Sequence, residues 1–449
     1  MPLTLFTNAL IVNEGKKYVG HLAIEGDVIK SVAPDSPPVQ LMNEADEVID
    51  LTGCYLFPGV IDDHVHFREP GLTHKADIAS ESRAAVAGGV TSFFDMPNVK
   101  PMTVDNVRLA EKKAIASRSS VANYAFYIGA TDKNIDELLK CDYTGCPGVK
   151  LFLGSSTGNM LVDDKTELDR IFGEVPAIVA VHAEDENVIH NNLAYFRFKN
   201  DRNPYVSEHS LIRSREACIV ATSGAIERAR EHDTQLHVLH VTTAEEVAMF
   251  SPEPLDKKLI TSEVCVHHLW FTEDDYERLG SRIKMNPSIK TAADREALRQ
   301  GLREGRIDLV GTDHAPHLLS DKEGDGLTAT SGAPMVQFSL PVMLEMADQG
   351  VFDVEMVIDR MCHKPAQLFG VVGRGYLRPG YSADIVVVRP GTPYTVTDDM
   401  VISKCGWTPL NGTTLHNRVE RTYVNGNLVY KEGEIVDDKP GQELKFAIS

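Results

Sequence analysis

The sequence predicts an α/β fold in which a TIM-type (β/α)8 barrel carries a small β-sandwich formed by both chain ends. Eight apolar, strand-like runs alternate with longer helical segments between residues 58 and 370, which is the signature of repeated βα units. Shorter apolar runs separated by turn residues occupy residues 1–57 and 371–449. The 449 residues also exceed what a barrel of about 250 residues needs. We therefore expect residues 1–57 and 371–449 to form the two parts of the sandwich and residues 58–370 to form the barrel.

The elements follow in order along the chain. Short antiparallel strands are expected before residue 57, with turns at residues 13–15 and 25–27. The first barrel strand is followed by a helix from about His74 to Ala87, which Gly88 and Gly89 end. A strand at residues 384–388 and a hairpin around residues 425–427 complete the C-terminal part. The eight predicted barrel strands are residues 60–66, 92–95, 123–128, 149–153, 177–182, 236–241, 259–266 and 307–313.

Residues 317–335, just beyond the eighth run, are mostly polar and rich in glycine. Two interpretations stay open for them, a plain surface loop and a mobile lid over an active site.

Charge and cysteine content exclude several classes of partner. A formal net charge of -20 and a pI near 5.2 repel nucleic acids and anionic lipids, and no basic run offsets them locally. The seven scattered cysteines suit a reducing compartment, and neither a signal peptide nor a membrane-length apolar run is evident. We expect a cytoplasmic protein with a small-molecule substrate, no nucleic-acid partner and no membrane partner, and a sequence compatible with a homo-oligomer.

Four histidines lie at or near the ends of predicted barrel strands. His64 and His66 are two residues apart, so on a strand they share a face, while His182 and His240 follow later apolar runs. Taken singly, each is more often an ordinary buried histidine than a ligand. Because the carboxyl ends of barrel strands meet at one face, the four imidazoles together indicate a metal site that suits Zn²⁺.

Asp313 and Lys150 complete the candidate cluster. Asp313 closes the eighth run, where it is either a cap or ion-pair partner or a carboxylate that binds metal and accepts a proton from water. Lys150 lies between Val149 and Leu151 on an inner strand, where an ammonium is costly to bury. It is an ion-paired lysine, a Schiff-base nucleophile, or an amine that captures CO₂ to form a carbamate bridging two metals.

At these positions the chain resembles the amidohydrolase superfamily and, within it, the dihydroorotase family. The match covers nearly the whole chain, and its most specific segments are residues 63–71 (DHVHFREPG), 95–98 (DMPN), 284–287 (KMNP) and 311–317 (GTDHAPH). The chain departs from many bacterial members, which have Asp where it has Lys150. Residues 332–336 match the family's ring-contacting loop only loosely.

The resemblance implies a site and a reaction. Two zinc ions per chain would be held by His64, His66, Lys150, His182, His240 and Asp313, with carboxylated Lys150 as the bridge. Asp313 would act as general acid/base beside a metal-bridged hydroxide, and substrate contacts would come from Arg68, Asn98, Asn286 and His317. The implied reaction is the reversible cyclisation of N-carbamoyl-L-aspartate to L-dihydroorotate in pyrimidine biosynthesis.

Arg68 decides among related activities. An arginine after a strand is usually a surface charge, but a guanidinium can hold the dihydroorotate carboxylate by two parallel hydrogen bonds. Dihydropyrimidine and hydantoin rings lack that group, and allantoinase-like sequences do not keep this arginine. The alternatives are a hydantoinase, dihydropyrimidinase or allantoinase-like cyclic amidase on the same fold, and a non-catalytic scaffold of a pyrimidine-pathway enzyme.

Overall fold

The N-terminal residues form five strands that belong outside the barrel. In the computed structural model, which describes residues 1–154, 160–436 and 439–447, left-handed φ values at Glu14 and Gly15 make the tight turn between the first two strands. That turn lies where the sequence predicts it. The strands are β1 (Leu3–Asn13), β2 (Lys16–Glu25), β3 (Val28–Pro34), β4 (Glu47–Asp50) and β5 (Tyr55–Pro58).

All eight predicted barrel runs are parallel strands. The third run is interrupted at Tyr127 and gives two short strands. The ring closes where Val65 and His314 form a parallel bridge, with the His66 amide donating to the His314 carbonyl at 2.8 Å. The strands are β6 (Val60–Val65), β7 (Val90–Asp95), β8 (Asn123–Phe126), β9 (Ile128–Gly129), β10 (Val149–Phe152), β11 (Val179–His182), β12 (Leu236–Val238), β13 (Ile260–Cys265) and β14 (Leu309–Gly311).

The first helix packs against β1 of the N-terminal domain, and the later helices accompany the barrel strands. Between the last two helices, Asp359–His363 form a wider helical turn. None of the helices in the described ranges combines the length and apolar character that crossing a bilayer requires. The helices are α1 (Val39–Glu44), α2 (Ile78–Ala87), α3 (Asn106–Ser119), α4 (Ile135–Leu139), α5 (Lys165–Glu174), α6 (Glu186–Asn200), α7 (His209–Ile212), α8 (Arg215–His232), α9 (Ala244–Met249), α10 (Val266–Trp270), α11 (Tyr276–Leu279), α12 (Ala292–Glu304), α13 (Ser339–Asp348), α14 (Val354–Ile358) and α15 (Lys364–Phe369).

One helix begins later than the sequence predicts. The first barrel helix, α2, starts at Ile78 instead of His74, because the Asp77 side chain accepts from the Ser80 amide and caps it. The residues from Arg68 to Asp77 therefore form a loop. The end of α2 agrees with the prediction, since Gly88 follows the last helical residue and Gly89 has a φ of +83°.

Strands from the C-terminal part join those from the N-terminal part in one mixed nine-stranded sheet. β15 pairs antiparallel with both β5 and β18. The sheet folds over an apolar core, since Phe6 on β1 meets Tyr423 on β18 edge to face at 5.2 Å although two strands separate β1 from β18. This confirms the predicted β-rich domain from both chain ends. The added strands are β15 (Ile385–Arg389), β16 (Tyr394–Thr395), β17 (Thr414–Leu415), β18 (Arg418–Val424), β19 (Asn427–Lys431) and β20 (Glu434–Ile435).

Two C-terminal segments return to the barrel. Strands β16 and β17 form a separate two-stranded sheet. In the segment that connects them, Trp407 donates its indole N–H to the His317 carbonyl at 2.8 Å. At the opposite end of the barrel, Phe369 and Phe446 each pack edge to face on Phe94, with ring centroids 5.0 and 5.5 Å away. The domain boundaries predicted above stay a prediction, although β5 ends at Pro58 and α15 at Phe369.

Candidate active site

The six residues predicted as metal ligands line one cavity at the carboxyl ends of the barrel strands. Two lie on or directly after β6, one on β10 and one at the end of β11, and two follow β12 and β14. The cavity is also lined by Phe152, Asn286, Ala315, Ser331 and Gly332. We call the six residues the ligand cluster: His64, His66, Lys150, His182, His240 and Asp313.

One half of the ligand cluster is centred on Asp313. Its Oδ1 lies 3.0 Å from His66 Nε2 and 3.4 Å from His64 Nε2. Asp313 has a φ of +44°, a left-handed conformation that costs a non-glycine residue about 1–3 kcal/mol. Three donor atoms therefore converge within the reach of one ion.

The other half pairs His182 with His240. His182 Nδ1 and His240 Nε2 are 2.9 Å apart, and His240 also has a left-handed φ, of +42°. The ring centroids of His64 and His240 are 5.4 Å apart, so the two halves adjoin. Two members of the ligand cluster, His240 and Asp313, thus have left-handed backbone just after a strand.

Lys150 is almost fully buried, with 1% of its surface exposed. Its Nζ lies 4.7 Å from the centre of the Phe152 ring. Burial lowers the pKa of Lys150 to about 7, although Asp313 and Glu263 oppose the shift. Much of the side chain is therefore a free amine near neutral pH, which is the form that reacts with CO₂.

The histidines are tuned mostly to the neutral form that binds metals. Burial lowers the pKa of His66 to about 4 and holds the pKa of His240 well below its usual range. Burial alone would lower the pKa of His64 as well, but Glu263 and Asp313 outweigh it and raise that pKa. Burial would raise the pKa of Asp313, but His64 and His66 hold it well below its usual range. Asp313 is therefore ionised at neutral pH.

Hydrogen-bonding groups outside the ligand cluster fix its rings. His64 Nδ1 lies 2.5 Å from Glu263 Oε1, and His66 Nδ1 lies 2.8 Å from Asn98 Oδ1. These partners accept the Nδ1 protons, which leaves the Nε2 lone pairs directed at the cavity. On the far side, His182 Nε2 lies 3.0 Å from Glu184 Oε2.

The donor set fits divalent metal ions. A catalytic zinc site presents buried imidazoles with free lone pairs and an ionised carboxylate. The second ring nitrogen of such an imidazole often donates to a carboxylate. A bare lysine amine does not fit beside cations, whereas its carbamate would add an anionic oxygen pair. The histidines and Asp313 of this chain therefore suit a divalent metal centre.

Arg68, Lys75 and His317 form a second group beside the ligand cluster, which we call the anion pocket. Arg68 has a left-handed φ of +70° and is 2% exposed. Its Nε donates to the Pro316 carbonyl at 3.0 Å, and its Nη2 lies 3.0 Å from His317 Nε2. Lys75 Nζ lies 3.0 Å from His317 Nδ1. Burial lowers the pKa of Arg68 to about 10, so the guanidinium stays charged at neutral pH.

The remaining predicted substrate residues lie close by. Asn98 contacts His66, and Asn286 lines the cavity with its Oδ1 3.0 Å from His209 Nε2. His314, in the same motif as Asp313, has a structural place instead. Its Nε2 lies 2.8 Å from Glu81 Oε2, and its Nδ1 accepts the amides of residues 335 and 336.

The loop of residues 317–335 is folded, with His317 and Lys322 buried within it. The Lys322 ammonium donates to the carbonyls of Thr330 at 2.6 Å and Gly332 at 2.7 Å. A Cβ on Gly332, whose φ is +118°, would lie 3.1 Å from His317 Cδ2, so glycine permits this close approach. The loop is more than a plain surface connection; its motion as a lid stays a prediction.

Sequence reasoning missed the groups that hold the cluster. Glu263 is a charged residue at a buried position of strand β13, an anomaly of the same kind as Lys150. Glu184 stands two residues after His182 and pairs with Arg213. Lys75 gives no such signal, since its partner is 242 residues away in sequence.

Comparisons with known proteins identify the family of this chain. A model of the amidohydrolase family matches residues 55–429. The chain belongs to the amidohydrolase family. A dihydroorotase from Methanosarcina acetivorans is 32% identical over 98% of this chain and 95% of its own length. An allantoinase from Bacillus velezensis is 32% identical over 95% of this chain and 93% of its own length.

Among solved structures, an L-hydantoinase (dihydropyrimidinase) from Arthrobacter aurescens aligns with a TM-score of 0.91. The two are 27% identical over 99% of this chain and 100% of that one. The predicted fold class and the resemblance to amidohydrolases are confirmed, and the chain is a metal-dependent hydrolase. Nothing in these comparisons points to a non-catalytic scaffold.

Proposed function

We propose that this amidohydrolase is a dihydroorotase, which interconverts N-carbamoyl-L-aspartate and L-dihydroorotate. The observation that carries the proposal is the buried guanidinium of Arg68 beside the ligand cluster. Its nearest polar contacts among the described residues are the Pro316 carbonyl and His317 Nε2, neither of which is an anion. A buried cation of this kind is completed by an anionic ligand, and dihydroorotate carries a carboxylate that neutral cyclic amides lack.

The proposed metal content is two zinc ions per chain, held by the ligand cluster and bridged by carboxylated Lys150. The lowered pKa of Lys150 and the two adjoining halves of the cluster support this assignment. Bound divalent ions would supply Lewis acidity, which activates water and polarises a carbonyl near neutral pH.

The side chains of this chain would do the rest. Asp313, ionised at neutral pH, accepts the proton from the attacking water and delivers it to the departing ring nitrogen. Arg68 and His317 hold the carboxylate, and Asn98 and Asn286 lie where they can orient the ring. Fixing the ring in this way raises the effective concentration of the reacting groups.

The test is metal analysis of the purified protein together with a panel of cyclic substrates. The proposal predicts about two zinc ions per chain and faster hydrolysis of L-dihydroorotate than of dihydrouracil, hydantoin or allantoin. Faster turnover of an uncharged ring would replace the proposed activity with that of the hydantoinase or allantoinase relatives. The hydantoinase alternative is worth testing because a hydantoinase structure aligns with this chain with a TM-score of 0.91.

We further propose a cytoplasmic location. All seven cysteines are free thiols, six of them buried, which suits a reducing compartment.

A further inference from the structure

The anion pocket contains a hydrogen-bonding conflict. The two ring nitrogens of fully buried His317 each face a cation, with Arg68 Nη2 3.0 Å from Nε2 and Lys75 Nζ 3.0 Å from Nδ1. Both neighbours are donors, whereas a neutral imidazole has one lone pair and one N–H. Burial, with Arg68, Lys75 and Lys322, holds the pKa of His317 well below its usual range, so the ring is neutral. One of the two contacts therefore sets a donor against a donor.

The surroundings indicate which contact is satisfied. Lys75 is held over Nδ1, since its Nζ also lies 3.4 Å from Asp321 Oδ2 and its amide donates to the Leu72 carbonyl. The Arg68 Nε donates to the Pro316 carbonyl, which fixes the plane of the guanidinium. The Arg68 Nη2 therefore stays directed at the His317 Nε2. If Nδ1 accepts from Lys75, the proton lies on Nε2 and points at a guanidinium N–H.

We propose that Lys75 fixes the Nε2–H form of His317, so that His317 and Arg68 together present N–H donors to one carboxylate of the substrate. An anionic oxygen placed between Nη2 and Nε2 accepts from both groups and removes the conflict. Lys75 is then a positioning residue that acts through His317. This inference rests on the proposed function, because the carboxylate is that of dihydroorotate.

The first experiment measures kcat and KM of three variants with L-dihydroorotate and with dihydrouracil, which lacks the carboxylate. Lys75→Met should lower kcat/KM for dihydroorotate about 10- to 100-fold, the effect of one charge-assisted hydrogen bond, mainly through KM. Turnover of dihydrouracil should change less than about 2-fold. Lys75→Gln, which keeps a donor but no charge, should recover most of the loss. Lys100→Met removes a nearby exposed lysine as the matched control and should behave like wild type.

The second experiment separates action through His317 from direct contact with substrate. In a His317→Ala background, Lys75→Met should lower kcat/KM for dihydroorotate by less than a further factor of about 2. The effects of two residues are not additive when one acts through the other. A full additional loss in that background would overturn the proposal, as would an equal loss on both substrates in the single variant.

The third experiment reads the ring directly. In protein with ¹⁵N-labelled histidine, the His317 signals, assigned by their loss in His317→Asn, should show a protonated Nε2 and a bare Nδ1. Lys75→Met should shift that balance toward Nδ1–H, while Lys100→Met should not. An unchanged ring in Lys75→Met would overturn the proposal. If wild type prefers an uncharged substrate, the proposed dihydroorotase activity fails, whereas the tautomer assignment is still decided by these spectra.

Discussion

The ligand cluster and the anion pocket lie side by side but are built in different ways. The cluster projects from the ends of buried parallel strands, and outer groups such as Glu263 and Asn98 fix its rings. The anion pocket is assembled from two loops, with Arg68 and His317 249 residues apart in sequence. In the proposed function, the barrel strands would supply the metal ligands and the loops would supply the charge that selects a substrate.

The electrostatics of the two regions also differ. The cluster gathers lone pairs and a carboxylate and suits cations, whereas the anion pocket gathers N–H donors with positive charge and suits an anion. Within a protein of formal net charge -20, this local positive region would draw an anionic substrate to the proposed metal centre. Variants that damage one region and spare the other should separate these roles.

Lys150→Ala should have the largest effect, because it removes the proposed bridge within the cluster. Hydrolysis of every substrate should fall by about 10³-fold or more, with loss of the paired metals. Added short carboxylic acids should restore part of the hydrolysis rate and part of the metal content. Metal analysis and initial rates check this, with Lys258→Ala, a lysine paired with Asp308 before the seventh barrel strand, as the control. Two metals per chain retained in Lys150→Ala would exclude the bridge.

Arg68→Met should affect the anion pocket alone. Turnover of L-dihydroorotate should drop about 100-fold or more, since a bidentate charged contact is lost. Dihydrouracil should lose far less, and the metal content should not change. Arg278→Met, at an exposed arginine, serves as the control. Equal losses on both substrates would remove the basis for assigning the carboxylate to Arg68.

Glu263→Gln should weaken the cluster from outside. The amide keeps the shape but loses the charge that orients His64, so zinc affinity should fall about 10- to 100-fold. Competition with a chromogenic chelator measures this. Glu246→Gln alters another fully buried glutamate, which bonds Thr222 and Thr243, and should leave zinc affinity unchanged. Unchanged affinity in Glu263→Gln would mean that His64 needs no outer carboxylate.

The smallest effect concerns Glu184 and the pH dependence of stability in metal-free protein. Burial alone would raise the pKa of Glu184, but Arg213 and His182 hold it at about 2. A depressed carboxyl pKa stabilises the fold above the unfolded pKa of about 4.5 and loses that stabilisation as pH falls toward 2. The free energy of unfolding of wild type and of Glu184→Gln is measured with denaturant between pH 6 and pH 3.5. Below pH 4.5, that of wild type should fall about 1.4 kcal/mol more per pH unit than that of the variant. Parallel slopes would contradict the pairing.

Much of the fold followed from the sequence, because buried parallel strands need continuous apolar runs and the ligands stand at their ends. The four histidines and Asp313 were placed by that rule, whereas Lys150 lies inside β10 and its role as a bridge came from the family resemblance. The start of α2 was predicted four residues too early, since Asp77 caps it only in the folded chain, and the loop this creates carries both Arg68 and Lys75. Contacts between loops far apart in sequence leave no periodic signal, so the anion pocket beyond Arg68 and His317 could not be predicted.

The central claim is that the anion pocket receives the substrate carboxylate while the ring faces the ligand cluster. A crystal structure of the zinc-loaded protein with L-dihydroorotate tests it most directly. We expect carboxylate oxygens about 3 Å from the Arg68 guanidinium and from His317 Nε2. A ring bound with its carboxylate turned away from Arg68 would contradict it.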